Sequence, residues 1–508
     1  MKKVIFTFAL LVPAMTFFWS CNQNPAGSKT DTLVYKDTMY IADTSKALSQ
    51  IYANFANSDI SDLTFLKGMT SLQWLNLDSN FFSDLSPLSS LVNLQYLNLK
   101  NNYAVSNISA LAGLSKLTYL NLEGDWRITD ITPLASLTNL QDLSLLSANG
   151  VTDISTLSKL TNLTKLDLGW ANGIATYGAC STLTKLEWIR LAGKGATSVS
   201  GISGLPNLQT ILLAHNSLTT IALSNLPKVT TIDFEYCDSV QGVNLSNMPV
   251  IDTIDLSNCR GLMKLTLTTL PGLKSLIFGS GYLTNSDIAL TGLGGIESIT
   301  GNFEKVTDLS FAKNLTSLTD LNVTCEALTD ISALSSLTGL TSLTIRGDGL
   351  VDVTPIQNCV NVTTLSLSYC GSVQDISALS HLTNLQNLNL SNNRSITSVS
   401  VVNSLTKLQV LNLTYCQSLD TTLPDMSALT QLKSLNINNC STLKNVAGLA
   451  SLTGLNFIDI RYNGLTPATV GPVLATMQSG DTLKYSIGQL DSAQIAQITA
   501  AGVIQPAY

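Results

Sequence analysis

From residue 72 onward the apolar positions recur in one frame, Leu-x-x-Leu-x-Leu-x-x-(Asn/Cys). Leu72, Leu75, Leu77 and Asn80 open the series, followed by Leu94, Leu97, Leu99 and Asn102, then Leu117, Leu120, Leu122 and Asp125. The last unit reads Leu455, Ile458, Ile460 and Asn463. The first apolar position falls at 72, 94, 117, 140, 163, 186, 208, 229, 251, 273, 296, 318, 340, 362, 385, 408, 432 and 455, which makes eighteen units with steps of 21 to 24 residues. Leu-x-Leu alternation is a strand with one buried face. One such strand has nothing to bury that face against, so the units must stack as a parallel sheet over a shared core. The ninth position turns inward where the chain leaves the strand. An Asn there hydrogen-bonds backbone groups of adjacent turns that burial would leave unpaired. Asn80, Asn102, Asn216, Asn393 and Asn463 fill it, as do Cys237, Cys259, Cys370, Cys416 and Cys440.

Many units return through Asp-(Ile/Leu/Val)-(Ser/Thr)-x-(Leu/Ile), as at Asp84 to Leu88, Asp130 to Leu134 and Asp375 to Leu379. Ser or Thr before Pro reads as a helix cap followed by a residue that needs no N–H. The few residues left per unit predict a short 3₁₀ turn. Residues 208–295 depart from this, with returns such as Ile221-Ala222-Leu223, Val243-Asn244-Leu245 and Leu265-Thr266-Leu267 ahead of Pro227, Pro249 and Pro271. That alternation predicts short outer strands and a change of curvature in mid-chain. Both ends need caps against open sheet edges. Thr44 to Asn57 has helical spacing (Ala47, Leu48, Ile51, Tyr52, Phe55) and reads as the N-terminal cap. At the other end, a helix is expected to open at Thr466-Pro467, a last strand at 483–487 and a last helix from Asp491 to Ala501.

The frame, which covers about four fifths of the chain, resembles the leucine-rich-repeat family, and its spacing is similar to the internalin type. The resemblance implies an α/β solenoid: a horseshoe with a parallel β-sheet on the concave face and mostly 3₁₀ or short-strand returns on the convex face. It implies binding of a protein partner through the concave face, in adhesion or recognition. The expected division is a signal segment at 1–20, a tether and cap at 21–58, the repeats at 59–463 and a C-terminal cap at 464–508.

Composition narrows the function. Hydrophobic residues make up 45% of the 508, so a long core can be buried, while only 12% are charged. The net charge is −7, or −9 once Lys2 and Lys3 leave with residues 1–20. Without a basic run, the chain lacks the footprint that phosphates demand, so no nucleic-acid partner is expected. Lys2-Lys3, an apolar run from Val4 to Trp19, and Ser20-Cys21 read as an export signal, with an apolar run short for a membrane span. The segment resembles a bacterial lipoprotein signal, which implies acylation at Cys21, with membrane contact only through the lipid. Phe18 and Trp19 depart from the small or aliphatic residues usual before such a cysteine, and an ordinary secretory signal is the alternative. The location expected is the bacterial outer membrane, surface-exposed, or otherwise outside the cell.

Candidate chemistry is sparse. His215 and His381 lie six units apart, and no phosphate loop, His-Glu-x-x-His, Gly-x-Ser-x-Gly or Cys-x-x-Cys occurs. No catalytic residue, metal or cofactor is expected. Register places five of the nine cysteines in the ladder and Cys180 and Cys359 in apolar return slots, so reduced thiols are expected. The concave face carries the stronger signal, because the third, fifth, seventh and eighth positions point outward from the strand. Trp74, Tyr96 and Tyr119 form a column at the third position, with Asn76, Asn98, Asn121 and Glu123 as a polar rim. Asp167, Trp170, Trp188 and Arg190 follow further on, and Tyr236, Phe303, Tyr369, Tyr415 and Tyr462 dot the remainder. Of these, Trp74, Tyr96, Tyr119, Asn98, Glu123, Asp167, Trp170, Trp188 and Arg190 are the expected ligand-binding set. A protein partner should contact a long stretch of the face. A glycan, the alternative, should contact one aromatic cluster with nearby Asp and Asn. An unrecognised hydrolase is a third reading.

Overall fold

A computed structural model describes residues 51–505. The export segment, Cys21 and the first part of the expected N-terminal cap lie outside them. Within the described residues every repeat contributes a short parallel strand to the concave face. These form a nine-stranded sheet from Tyr52–Asn54 to Thr231–Asp233 and an eleven-stranded sheet from Thr253–Leu256 to Thr482–Lys484. The frame leucines are buried beneath them; Leu72, Leu75, Leu77, Leu94, Leu97 and Leu99 have no exposed surface. At roughly 1.5–3 kcal/mol for each fully buried side chain, this continuous core is the main stabilising contribution.

The returns are mostly 3₁₀ turns, for example Ser86–Ser90, Thr132–Ser136 and Ser377–His381. The residue that caps them is not the Ser or Thr the sequence pointed to. Asp84, Asp130 and Asp375 accept the amides of Ser86, Thr132 and Ser377, each at 2.8 Å. These bonds hold the three carboxyls below the usual aspartate range. In mid-chain the expected outer strands are present as Thr220–Ser224, Gly242–Ser246 and Lys264–Thr268, joined by a fourth, Ile288–Thr291, in one parallel sheet. Under this sheet the concave ladder is interrupted. Thr231–Asp233 and Thr253–Leu256 belong to different sheets, while Gly242–Ser246 and Lys264–Thr268 pair directly on the convex side.

The helix expected to reach Asn57 is corrected over the described residues. Tyr52–Asn54 is a strand in register with Trp74–Asn76, and Ala53 and Phe55 are buried on the core side. At the C-terminus the expected helices form at Pro467–Leu474, behind Thr466, and at Ser492–Ala500, where Asp491 accepts the amide of Gln494 at 2.8 Å. The last strand is Thr482–Lys484, and Ile504 exchanges hydrogen bonds with Asp481 and Leu483, covering its outer edge.

The ladder works as expected at Asn80, Asn102, Asn393 and Asn463, whereas Asn216 donates to the carbonyls of Leu191 and Leu213 but its buried Oδ1 has no hydrogen-bond partner among the described residues. Asn80 accepts the amides of Ser58 and Ile60 and donates to the carbonyls of Phe55 and Leu77, and Asn102 accepts from Asn80 and donates to Leu77 and Leu99. Cysteine does half of this. Cys237, Cys416 and Cys440 donate to the carbonyls of Leu213, Leu390 and Leu413 at 3.3, 3.1 and 3.0 Å. All eight described cysteines are buried and unbridged, and burial pushes the thiols of Cys259, Cys416 and Cys440 up to about 12.

Candidate functional site

Strand register assembles the third-position side chains of the first seven strands into one column: Tyr52, Trp74, Tyr96, Tyr119, Asp142, Lys165 and Trp188. The expected ridge is present. Trp74 and Tyr96 stack with ring centroids 4.8 Å apart and planes 13° off parallel; Tyr96 and Tyr119 stack at 4.2 Å and 6°. These rings are half-buried. Burial, and then the neighbouring phenol, push the Tyr96 hydroxyl far above its usual range; burial and then the charge of Asp142 raise that of Tyr119. Stacking covers both faces of Tyr96 and one face each of Trp74 and Tyr119.

The column then becomes ionic. Asp142 and Lys165 pair at 3.5 Å, and the Lys165 ammonium sits 5.3 Å from the Trp188 ring centroid. The Arg190 guanidinium lies 5.3 Å from the same ring and pairs with Asp167 at 3.1 Å. Burial raises the Asp142 and Asp167 carboxyls; Lys165 opposes this at Asp142, and at Asp167 the amide of Gly169 and then Arg190 oppose it. Tyr52, Asp142 and Lys165 were missed by the sequence reading, although counting the third position along every unit finds them.

The fifth-position row proves structural. Asn76, Asn98, Asn121 and Asp167 accept the amides of Asp78, Lys100, Glu123 and Gly169, two residues on, where the chain leaves the strand. Asn98 and Asn121 are buried in doing so. Asn98, expected to meet a ligand, is buried and its Oδ1 fixes the turn. Glu123 stays on the face, paired with Lys100 at 3.0 Å.

Trp170 does not join Trp188. It occupies the eighth position, at the opposite end of the strand frame, and packs 5.1 Å from His215, which stacks on Tyr236 at 4.5 Å. The eighth position is also where the backbone turns left-handed. Trp170, His215, Tyr236, Tyr369, Tyr415 and Tyr462 have φ between 53° and 62°, a region that bulky residues rarely adopt. Each such residue costs on the order of 1 kcal/mol. The conformation persists because its N–H donates to the next turn, as Trp170 does to Ala192 and His215 to Glu235. Phe303 is the exception among the expected outward aromatics. Its strand, Ser298–Phe303, keeps alternating through the eighth position, so the ring turns into the core against Phe278 and Phe311.

A further aromatic row lies just beyond the ladder. Phe81, Tyr103 and Trp126 follow Asn80, Asn102 and Asp125 by one residue and are 65%, 53% and 48% exposed, with the Arg127 guanidinium 4.9 Å from the Trp126 ring centroid. His381 closes a return turn, its Nδ1 3.2 Å from the Ala378 carbonyl oxygen.

A family model described as leucine-rich repeats (two copies) matches residues 70–113 and 92–136. Among solved structures, an internalin of Listeria monocytogenes is 22% identical, with 83% of this chain and 90% of that one covered and a TM-score of 0.29. A leucine-rich-repeat protein of Leptospira interrogans is 20% identical, covering 82% and 97%, with a TM-score of 0.46. Internalin C2 of Listeria monocytogenes is 33% identical over 36% of this chain and 80% of its own, with a TM-score of 0.32. No curated protein sequence matches. The repeat frame, its parallel concave strands and its 3₁₀ returns have the architecture of a leucine-rich-repeat solenoid, and the matched model falls on the first repeats of that frame.

Proposed function

We propose that the first seven strands bind a protein partner through the column from Tyr52 to Trp188, and that the chain is a recognition protein rather than an enzyme. The observation that carries this is the stacking of Trp74, Tyr96 and Tyr119 on one another. A sugar ring binds by laying its apolar face on an aromatic face, and within this ridge both faces of Tyr96 and the inner faces of Trp74 and Tyr119 are already used. Ring edges, hydroxyls and the adjoining Asp142–Lys165 and Asp167–Arg190 pairs suit a protein surface, where aromatic and Arg anchors dominate affinity. Neither histidine supports catalysis, since His215 is packed between Trp170 and Tyr236 and His381 sits on a return turn.

The test is to present residues 22–508 to a panel of surface proteins and to a glycan array. The double change Trp74→Ala with Tyr96→Ala should weaken binding of the protein hit roughly thirtyfold or more, the cost of losing a hot spot of about 2 kcal/mol. Melting should fall by no more than a few degrees, because the two lost ring pairs contribute about 0.5–1.5 kcal/mol each beyond their burial, spread over a long cooperative core. Unchanged affinity in the double variant, or hits confined to glycans, overturns the reading.

We further propose that the chain is exported and held at the cell envelope by a lipid on Cys21. Support comes from the charged, apolar and small-residue order of residues 2–21. Cys21→Ser should shift the protein from the membrane fraction to the soluble exported fraction, and an unchanged distribution rejects the anchor.

A further inference from the structure

In the C-terminal third, the eighth position reads Tyr369, Asn392, Tyr415, Asn439 and Tyr462 in consecutive turns. All five residues are left-handed, with φ of 59°, 63°, 62°, 60° and 57°. Asparagine suits that backbone and tyrosine does not, so nothing in the local fold calls for the tyrosines. They are nonetheless 42%, 41% and 60% exposed, and no ring contact joins them to one another. The amides of Tyr369 and Tyr415 donate to the carbonyls of Ser391 and Asn438, and that of Tyr462 to the Ser486 hydroxyl, so the rings stand on a rigid ladder. Alternate turns place the rings about 9.6 Å apart, two strand spacings. The Arg346 guanidinium lies 3.8 Å from the Tyr369 ring centroid, leaving that ring's other face. Between Tyr369 and Tyr415, the side-chain amide of Asn392 has no hydrogen-bond partner among the described residues.

We propose that this rim binds a linear β-linked polysaccharide of the cellulose or chitin kind. In such a chain alternate sugars are turned over, so the same ring face recurs once per disaccharide, and a disaccharide is about two strand spacings long. Three rings at that interval take successive disaccharides, and the intervening Asn392 offers a donor and an acceptor to the hydroxyls between. Unlike the stacked ridge near the N-terminus, these rings are not covered by one another. The site is separate from the protein-binding column and stands or falls independently of it.

The experiment measures retention of the purified chain on microcrystalline cellulose and on chitin, then titrates it with the hexasaccharide and disaccharide of each. One polymer should retain the protein. Its hexasaccharide, which reaches all three rings, should bind roughly tenfold or more tightly than the disaccharide. Tyr415→Asn should lose roughly tenfold or more in affinity while melting no lower than the parent, because Asn fills the same position in both neighbouring turns. Trp74→Ala should bind the polymer as the parent does. The proposal is overturned if neither polymer retains the parent, if Tyr415→Asn binds equally well, or if the two oligosaccharides bind alike.

Discussion

Replacing Asp125 with asparagine should stabilise the protein at neutral and alkaline pH and leave it unchanged near pH 4. Asp125 occupies the ladder position after Asn80 and Asn102 and has no exposed surface. Its Oδ1 accepts the Asn102 amide at 2.7 Å, as an Asn oxygen does. Its Oδ2 takes the place of the amide nitrogen that donates in the two preceding turns, and it has no hydrogen-bond partner among the described residues. Only a protonated carboxyl supplies the missing donor. Burial accordingly pushes Asp125 up to about 8 from 3.8, opposed by the Asn102 amide. The raised value fixes the sign. Between about pH 4 and pH 8 the folded chain holds a proton that the unfolded chain has released, so stability falls as pH rises through that window. At about 1.4 kcal/mol per unit, the full loss is on the order of 5 kcal/mol. Asp125→Asn supplies the donor without titrating. Melting of parent and variant from pH 4 to pH 9 should therefore diverge by several degrees toward the alkaline end. Parallel curves would show that the carboxyl finds another partner.

The second large effect is expected from Leu343→Asp. Leu343 has no exposed surface and lies in register between Leu321 and Leu365 in the concave sheet. A carboxylate there has no cation beside it, and its burial costs about 4 kcal/mol or more. In a solenoid each turn leans only on its neighbours, so the damage also uncouples the blocks on either side. The melting transition should drop or split into two, and a variant that melts with the parent would contradict the core placement.

Much of this architecture is legible in the sequence because one frame repeats and each position has a fixed environment. Leu75 and Leu97 point inward for the same reason, and the same offset puts Trp74, Tyr96 and Tyr119 in one column. What escaped reading breaks the frame or depends on backbone detail. The strand at Tyr52–Asn54 was hidden because Gln50 stands where the frame expects leucine, and because Leu48, Ile51, Tyr52 and Phe55 also fit a helix. Phe303 holds an outward position by count, yet its strand runs on and turns it inward. Asn98 looks like a polar contact in sequence, while its oxygen is bound by the Lys100 amide. Asp84 rather than Ser86 caps the return because the residue between them already has turn geometry.

The interruption of the concave ladder between Thr231–Asp233 and Thr253–Leu256 has a mechanical consequence. A pull along the solenoid axis is resisted on either side by peptide hydrogen bonds of the inner sheet. Across the gap that load passes to the pairing of Gly242–Ser246 with Lys264–Thr268, on the opposite face. The molecule is thus jointed as overlapping planks are, with a strap behind the gap. Tension applied through a ligand on the concave side opens the joint as a lever opens a hinge, while tension on the convex side pulls directly along the hydrogen bonds of the strap.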